Sequence, residues 1–137
     1  MADFKAIIRG LRGYLANQIA APPLALWRTK PAVFTYPAPP EAEPPYIVIF
    51  PIVIASDDTH DTRGEKALYQ INLWATRLSI ADDIYTLIDN SLHLQTFLIA
   101  GYSTIAVQRV RGIALLPLEP GEELTGLSAD YQITVQE

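Results

Sequence analysis

The most reactive-looking run in the chain is Asp57 Asp58 Thr59 His60 Asp61 Thr62 Arg63 Gly64 Glu65. Carboxylates and an imidazole packed this closely are ingredients of a metal site. A calcium-binding EF-hand loop needs Asp or Asn at its third position, Gly at its sixth and Glu at its twelfth. Counted from Asp57, those positions hold Thr59, Thr62 and Leu68. One His without a second ligand pair is equally poor for zinc. The residue types instead favour contact over coordination. Asp57, Asp58, His60, Asp61, Arg63 and Glu65 can form charge-assisted pairs with a neighbouring molecule. They are expected in a solvated hairpin loop or a subunit contact, with no metal and no cofactor.

Asp89 and His93 lie four positions apart in a helical pattern. A carboxylate so placed could orient an imidazole as a general base. More often the same spacing gives a surface pair worth ~0.2–0.5 kcal/mol. Ser91 has no base beside it, and neither a glycine-rich phosphate loop nor a G-x-S-x-G elbow occurs. No nucleophile, base and oxyanion donor converge, so a non-enzyme is expected. Arg109 and Arg111 share one face of a predicted strand. They are read as cross-strand or intersubunit partners of carboxylates rather than as a DNA-binding patch. Trp74 falls on the polar face of its strand, which marks it for an interface or for cover by a second layer. Trp27, just past Pro22 and Pro23, could equally close one end of the core. Glu119, Glu122 and Glu123, in a predicted loop, complete the set of candidate contact residues.

These groups need elements to position them. A chain of 137 residues with 50% hydrophobic content is one domain by size and can bury a core. It has no cysteine, which excludes a disulfide framework and fits synthesis in a reducing cytoplasm. No apolar run approaches the ~18 residues that span a bilayer, and no membrane partner is expected. The first residues alternate charge and apolarity, so no signal peptide is expected. A net charge of −5 suits a chain that does not grip phosphate backbones. A negative lumen would instead let a duplex slide.

Taken in order, Asp3–Ala20 reads as a helix with Phe4, Ile7, Ile8, Leu11, Leu15 and Ile19 on one face and Asp3 as N-cap. Lys5, Arg9 and Arg12 fall on or near the other side. Nine of the eleven prolines lie between Pro22 and Pro51. Inside that region Ala32–Tyr36 reads as a short strand, and Pro37–Pro45 as an extended arm with few backbone donors. Tyr46–Ile54 is apolar on both faces, which asks for cover on both sides. Pro51 fits it only at a bulge or an edge. A loop, Ala55–Glu65, leads to Lys66–Arg77, where Tyr69, Ile71, Leu73 and Ala75 point inward. Ser79 is predicted to cap a second helix, with Ile80, Ile84, Leu87, Ile88 and Leu94 as its buried stripe. Ser103–Arg111 is a strand with Ile105 and Val107 inward. Gly112–Leu127 is a long loop. Ala129–Gln136 is a strand with Tyr131, Ile133 and Val135 inward. The predicted fold is α+β, in the order α-β-β-β-α-β-β. It comprises a mostly antiparallel sheet of about five strands with two helices packed on one face.

The combination resembles a known family. A helix ending in Ala20 Ala21 Pro22 Pro23 Leu24 Ala25 precedes a short strand with Val33 Phe34. A proline run leads into Pro45 Tyr46 Ile47 Val48 Ile49. Tyr69 Gln70 Ile71 Asn72 Leu73 Trp74 follows with a helix close behind, and Asp130 Tyr131 Gln132 Ile133 Thr134 Val135 ends the pattern. This is similar to the tail-terminator, or tail-completion, proteins of tailed bacteriophages and prophages. The resemblance covers nearly the whole chain, as a single domain over 1–137 with an arm at 37–45 and loops at 55–65 and 112–127. It implies a homo-oligomeric ring, usually a hexamer, at the head-proximal end of the virion tail. That ring stops tube polymerisation, contacts the tail tube protein and the neck or head-completion protein, and lets DNA pass through its lumen without specific binding. Such a protein is made in the host bacterial cytoplasm. Two alternatives are a neck or head-completion ring protein and, from another class, a small cytoplasmic ligand-binding α+β domain.

Overall fold

A computed structural model describes residues 4–19, 24–56, 64–95, 103–116 and 124–136. Helix α1 (Phe4–Gln18) is followed by a two-stranded hairpin, β1 (Leu26–Trp27) and β2 (Lys30–Pro31). Then come β3 (Val33–Thr35), β4 (Tyr46–Ser56), β5 (Gly64–Ala75), α2 (Leu78–Leu92), β6 (Ser103–Leu115) and β7 (Thr125–Gln136). Strands β3 to β7 form one sheet in the order β3-β4-β5-β7-β6, and all its pairs are antiparallel except β3–β4. The fold is α+β, and its order is the expected one once the small hairpin is set aside.

Both helices cover the same face of the sheet. Ile7, Leu11, Leu15 and Ile19 recur at helical spacing and are fully buried there. Beneath them lie Ile47 and Ile49 of β4, every second residue of β5 from Ala67 to Ala75, and Ala129, Tyr131, Ile133 and Val135 of β7. The period of two read from β5 and β7 is therefore the real inward set. Fully burying one such aliphatic side chain contributes ~1.5–3 kcal/mol. Asp3, proposed as the first helix's cap, lies outside the described residues.

The second helix departs from expectation in two ways. Its N-cap position is Arg77, not Ser79, and no side-chain cap bond is made. Strand β5 stays paired to Ala75, so only two residues remain before the helix and its first turn closes by Ala81 N–H donating to Arg77 C=O. The buried stripe is Ala81, Ile84, Tyr85, Ile88 and Leu92. Leu87 and Leu94 are exposed. The helix is rotated toward Tyr85, whose hydroxyl reaches through the core to donate to Ile71 C=O at 2.9 Å.

Pro51 is accommodated as its chemistry requires. Strand β3 pairs with β4 only over Ile47–Ile49, so Pro51 lies beyond that neighbour on a free edge, and the register slips between Pro51 and Val53. The proline-rich arm returns the chain from the end of β3 to the start of β4. It is not simply extended: Ala42 N–H donates to Pro39 C=O, closing a turn. The long loop expected over Gly112–Leu127 is shorter. Ala114–Ser128 and Leu115–Leu127 continue the ladder, and Leu116 N–H donates to Gly126 C=O at 2.8 Å.

Candidate interaction surfaces

Asp89 and His93 do not form the dyad their spacing allows. The Asp89 carboxylate accepts from Tyr131 Oη at 2.9 Å and pairs with the Arg109 guanidinium at 3.1 Å. His93 Nδ1 accepts the backbone N–H of Arg109 at 3.0 Å. These contacts tie α2 and its C-cap to β6 and β7, and both side chains are engaged in them. Tyr131 is buried, and burial raises its pKa well above the ordinary tyrosine value. The nearby Tyr85 hydroxyl and the Asp89 carboxylate add to that shift. The Tyr85 pKa is also raised, mainly by burial. Stable neutral phenols and a saturated carboxylate make a structural lock between helix and sheet.

Arg109 and Arg111 do not share a face. Arg109 lies opposite Tyr131 and Arg111 opposite Asp130, so β6 spends two steps where β7 spends one. The bulge at Val110 turns Arg109 toward the helices and Arg111 to the other side. There Arg111 Nε pairs with Asp130 at 3.0 Å, and its Nη2 donates to Ser128 Oγ at 2.8 Å.

The face of the sheet turned away from the helices is divided. Over β5, β6 and β7 it is polar, with Gln70, Asn72, Asp130, Gln132 and Arg111. Asn72 Oδ1 is buried there and accepts no hydrogen bond from the chain. Over β3 and β4 the face is aromatic. Phe34 meets Trp27 edge-on at 5.4 Å and Tyr46 at 6.0 Å between ring centroids. Trp27 comes from the β1–β2 hairpin and packs its ring on Phe34. Part of the second cover that Tyr46–Ile54 requires thus comes from the same chain. Val48, paired with Phe34, is buried. A second ring pair, Tyr36 and Phe50 at 4.9 Å, remains exposed beside Ile52.

Trp74 is half-buried. It lies across from Gly126, where its indole occupies the space a Cβ would need. Gly126 falls in the segment predicted as a loop, and only its register opposite a tryptophan reveals this role. Glu65 stands in β5 between Ser56 and Val135. Asp57, Asp58, His60, Asp61, Arg63, Glu119, Glu122 and Glu123 lie outside the described residues. Among the described residues, no group of three or more His, Cys, Asp or Glu side chains could hold a metal. Nor is any described helix long and apolar enough to cross a membrane.

A family model described as "Tail completion protein gp17" matches residues 20–135. No curated protein sequence matches the chain. Among solved structures, the chain is similar to one from the "Virion of native gene transfer agent (GTA) particle", with TM-score 0.68 and 14% identity over 97% of this chain and 93% of that one. A second solved chain matches with TM-score 0.61 and 15% identity over 100% of this chain and 98% of the other. At these identities the two structures establish a shared fold.

Proposed function

The chain belongs to the family of tail completion protein gp17, structural proteins of the bacteriophage virion, and we propose that it is a tail terminator that works as a homo-oligomeric ring, a hexamer. One face of the ring binds the last ring of tail tube protein. The opposite face is unlike the tube and receives the neck or head-completion protein, so polymerisation stops by occlusion. DNA passes through the lumen without specific binding, in keeping with a net charge of −5. The protein acts at the head-proximal end of the tail after synthesis in the host bacterial cytoplasm. The role in this reading is structural, which the bonds that engage Asp89 and His93 support.

The observation that supports the ring is the incomplete cover of the sheet face turned away from the helices. Two helices occupy one face, and Tyr36, Phe50 and Ile52 are exposed on the other. Apolar residues clustered in this way mark a surface for a protein partner. The fold shared with a chain of a gene transfer agent virion supports the same reading. In the ring, the segments 55–65 and 112–127 and the arm at 37–45 are the contacts. Light scattering coupled to size exclusion tests the proposal, with tail tube protein present in a parallel run. A ring mass is expected, and Arg63→Glu should weaken assembly without unfolding the protein. A strict monomer under both conditions would sink the ring, and unchanged assembly by Arg63→Glu would remove the 55–65 loop from its contacts.

A further inference from the structure

Helix α1 and the β1–β2 hairpin enclose an open-sided cleft of about 710 Å³. Four of the chain's ten Lys and Arg residues line it: Arg9, Arg12, Arg28 and Lys30. Among the described residues, no acidic side chain lines it. All four cations are exposed, and none forms an ion pair among the described residues. The rest of the sequence carries six Lys and Arg against fifteen Asp and Glu.

Two of the four cations make contacts that hold them. Arg12 Nε donates to Val33 C=O at 3.0 Å, which aims its guanidinium along the cleft wall. The Arg28 guanidinium lies 5.5 Å from the Trp27 ring centroid. Arg28 sits at the tip of a two-residue hairpin turn in which it and Thr29 have φ of 56° and 100°. That turn normally takes Asn-Gly, because both central residues occupy the left-handed region. The chain keeps two side-chain-bearing residues there at a cost in backbone strain, and strain of this kind collects at functional sites.

We propose that this cleft binds carboxylates of a second copy of the chain, namely Glu41 and Glu43 on the proline-rich arm. The inference rests on the ring reading and names one of its contacts. Both glutamates are exposed and have no ion-pair partner among the described residues. They stand two apart on the segment that joins β3 to β4. Arginine forks match carboxylates bidentately. A cleft of this volume admits a few side chains and not a duplex, so a carboxylate pair fits better than a nucleic-acid backbone. Each copy would give its arm to one neighbour and its cleft to the other.

Two charge reversals test this in the full-length protein: Arg9→Glu with Arg28→Glu, and Glu41→Lys with Glu43→Lys. Sedimentation is measured for each alone and for an equimolar mixture, with and without tail tube protein. Each double variant alone should associate roughly a hundredfold more weakly than the wild type. The mixture should recover most of that loss, because each reversed cleft then meets a reversed arm. All four positions are exposed, so both variants are expected to fold, and circular dichroism verifies it. Arg28→Asn separates folding from binding: it should raise Tm by relaxing the turn, yet weaken association. Wild-type assembly by both variants overturns the cleft contact and leaves the ring standing. Weakened variants whose mixture stays apart overturn the arm as occupant. A monomeric wild type overturns the ring reading and this contact with it. If the wild type binds short duplex DNA and the Arg9/Arg28 variant does not while still assembling, the cleft is a phosphate site and the proposal is wrong.

Discussion

Gly126→Ala is the most direct probe of the sheet's outer face. A Cβ at Gly126 would lie 2.6 Å from Trp74 Cζ3, 2.8 Å from Cε3 and 3.0 Å from Leu116 Cβ. In an unobstructed strand, replacing Gly by Ala stabilises by ~0.5–1 kcal/mol, because Ala has less chain entropy to lose. Here the indole must swing away or the β5–β7 pair must part, and overpacking of that kind costs ~1–3 kcal/mol. The clash is the larger effect, so a net loss of about 1–2 kcal/mol is expected. For a domain of this size that lowers Tm by about 3–8 °C. With Trp74→Ala in place the indole is gone, and the same substitution should become neutral or stabilising. The cycle would give a coupling of about 2 kcal/mol, which urea unfolding with an unchanged slope can resolve. A higher Tm for Gly126→Ala in the wild-type background, or additive effects in the cycle, would refute the packing of Trp74 on Gly126.

Asp89→Ala removes the acceptor of the buried Tyr131 hydroxyl and the partner of Arg109 in one step. It should cost about 1.5–3 kcal/mol by urea unfolding, and Asp89→Asn, which keeps an acceptor, should cost less. Alkaline stability follows from Tyr85 and Tyr131, whose folded pKa values are raised above the ordinary 10.0. The fold keeps both phenols neutral, so their contribution is complete below pH 10 and is lost as pH rises, because the unfolded chain ionises first. Each should remove ~1.4 kcal/mol per pH unit in that range. Urea midpoints across that range should fall less steeply for Tyr85→Phe with Tyr131→Phe, and an identical slope would count against the assignment. Phe50→Asp alters an exposed ring of the outer face. It should leave the monomer folded and reduce the mass measured by light scattering, and an unchanged mass would remove the Tyr36–Phe50 edge from the contacts.

What was legible in the sequence was whatever a single period could express. The face of α1 and the inward residues of β5 and β7 follow directly from spacings of 3.6 and 2. Misreadings arose where a tertiary contact overrode that local signal. In α2, Leu87 is more apolar than Tyr85, yet the sheet offers Tyr85 a buried carbonyl, and the helix turns to meet it. For Arg109 and Arg111, strict alternation put both on one face, and the bulge at Val110 separated them. The β1–β2 hairpin left no trace, because its strands are two residues each and its turn, Arg28-Thr29, lacks the usual Asn and Gly. The basic cleft was hidden for a related reason. Arg9 and Arg12 were visible as a polar helix side, but nothing in the sequence placed Arg28 and Lys30 beside them, and only the hairpin brings the two pairs together.

The distribution of charge and apolar surface also bears on how copies can meet. A two-fold contact through the cleft would set Arg9, Arg12, Arg28 and Lys30 against their own images, which like-charge repulsion opposes. The cleft therefore requires a different surface as its partner. The Tyr36–Phe50 edge, apolar and on the sheet face away from the helices, cannot neutralise it. Carboxylates can, and the chain carries fifteen Asp and Glu against ten Lys and Arg. A contact between unlike surfaces repeats from copy to copy, and closes into a ring when the rotation between neighbours divides a full turn. The charge of the cleft thus opposes a two-fold contact through the cleft itself and suits one between unlike surfaces.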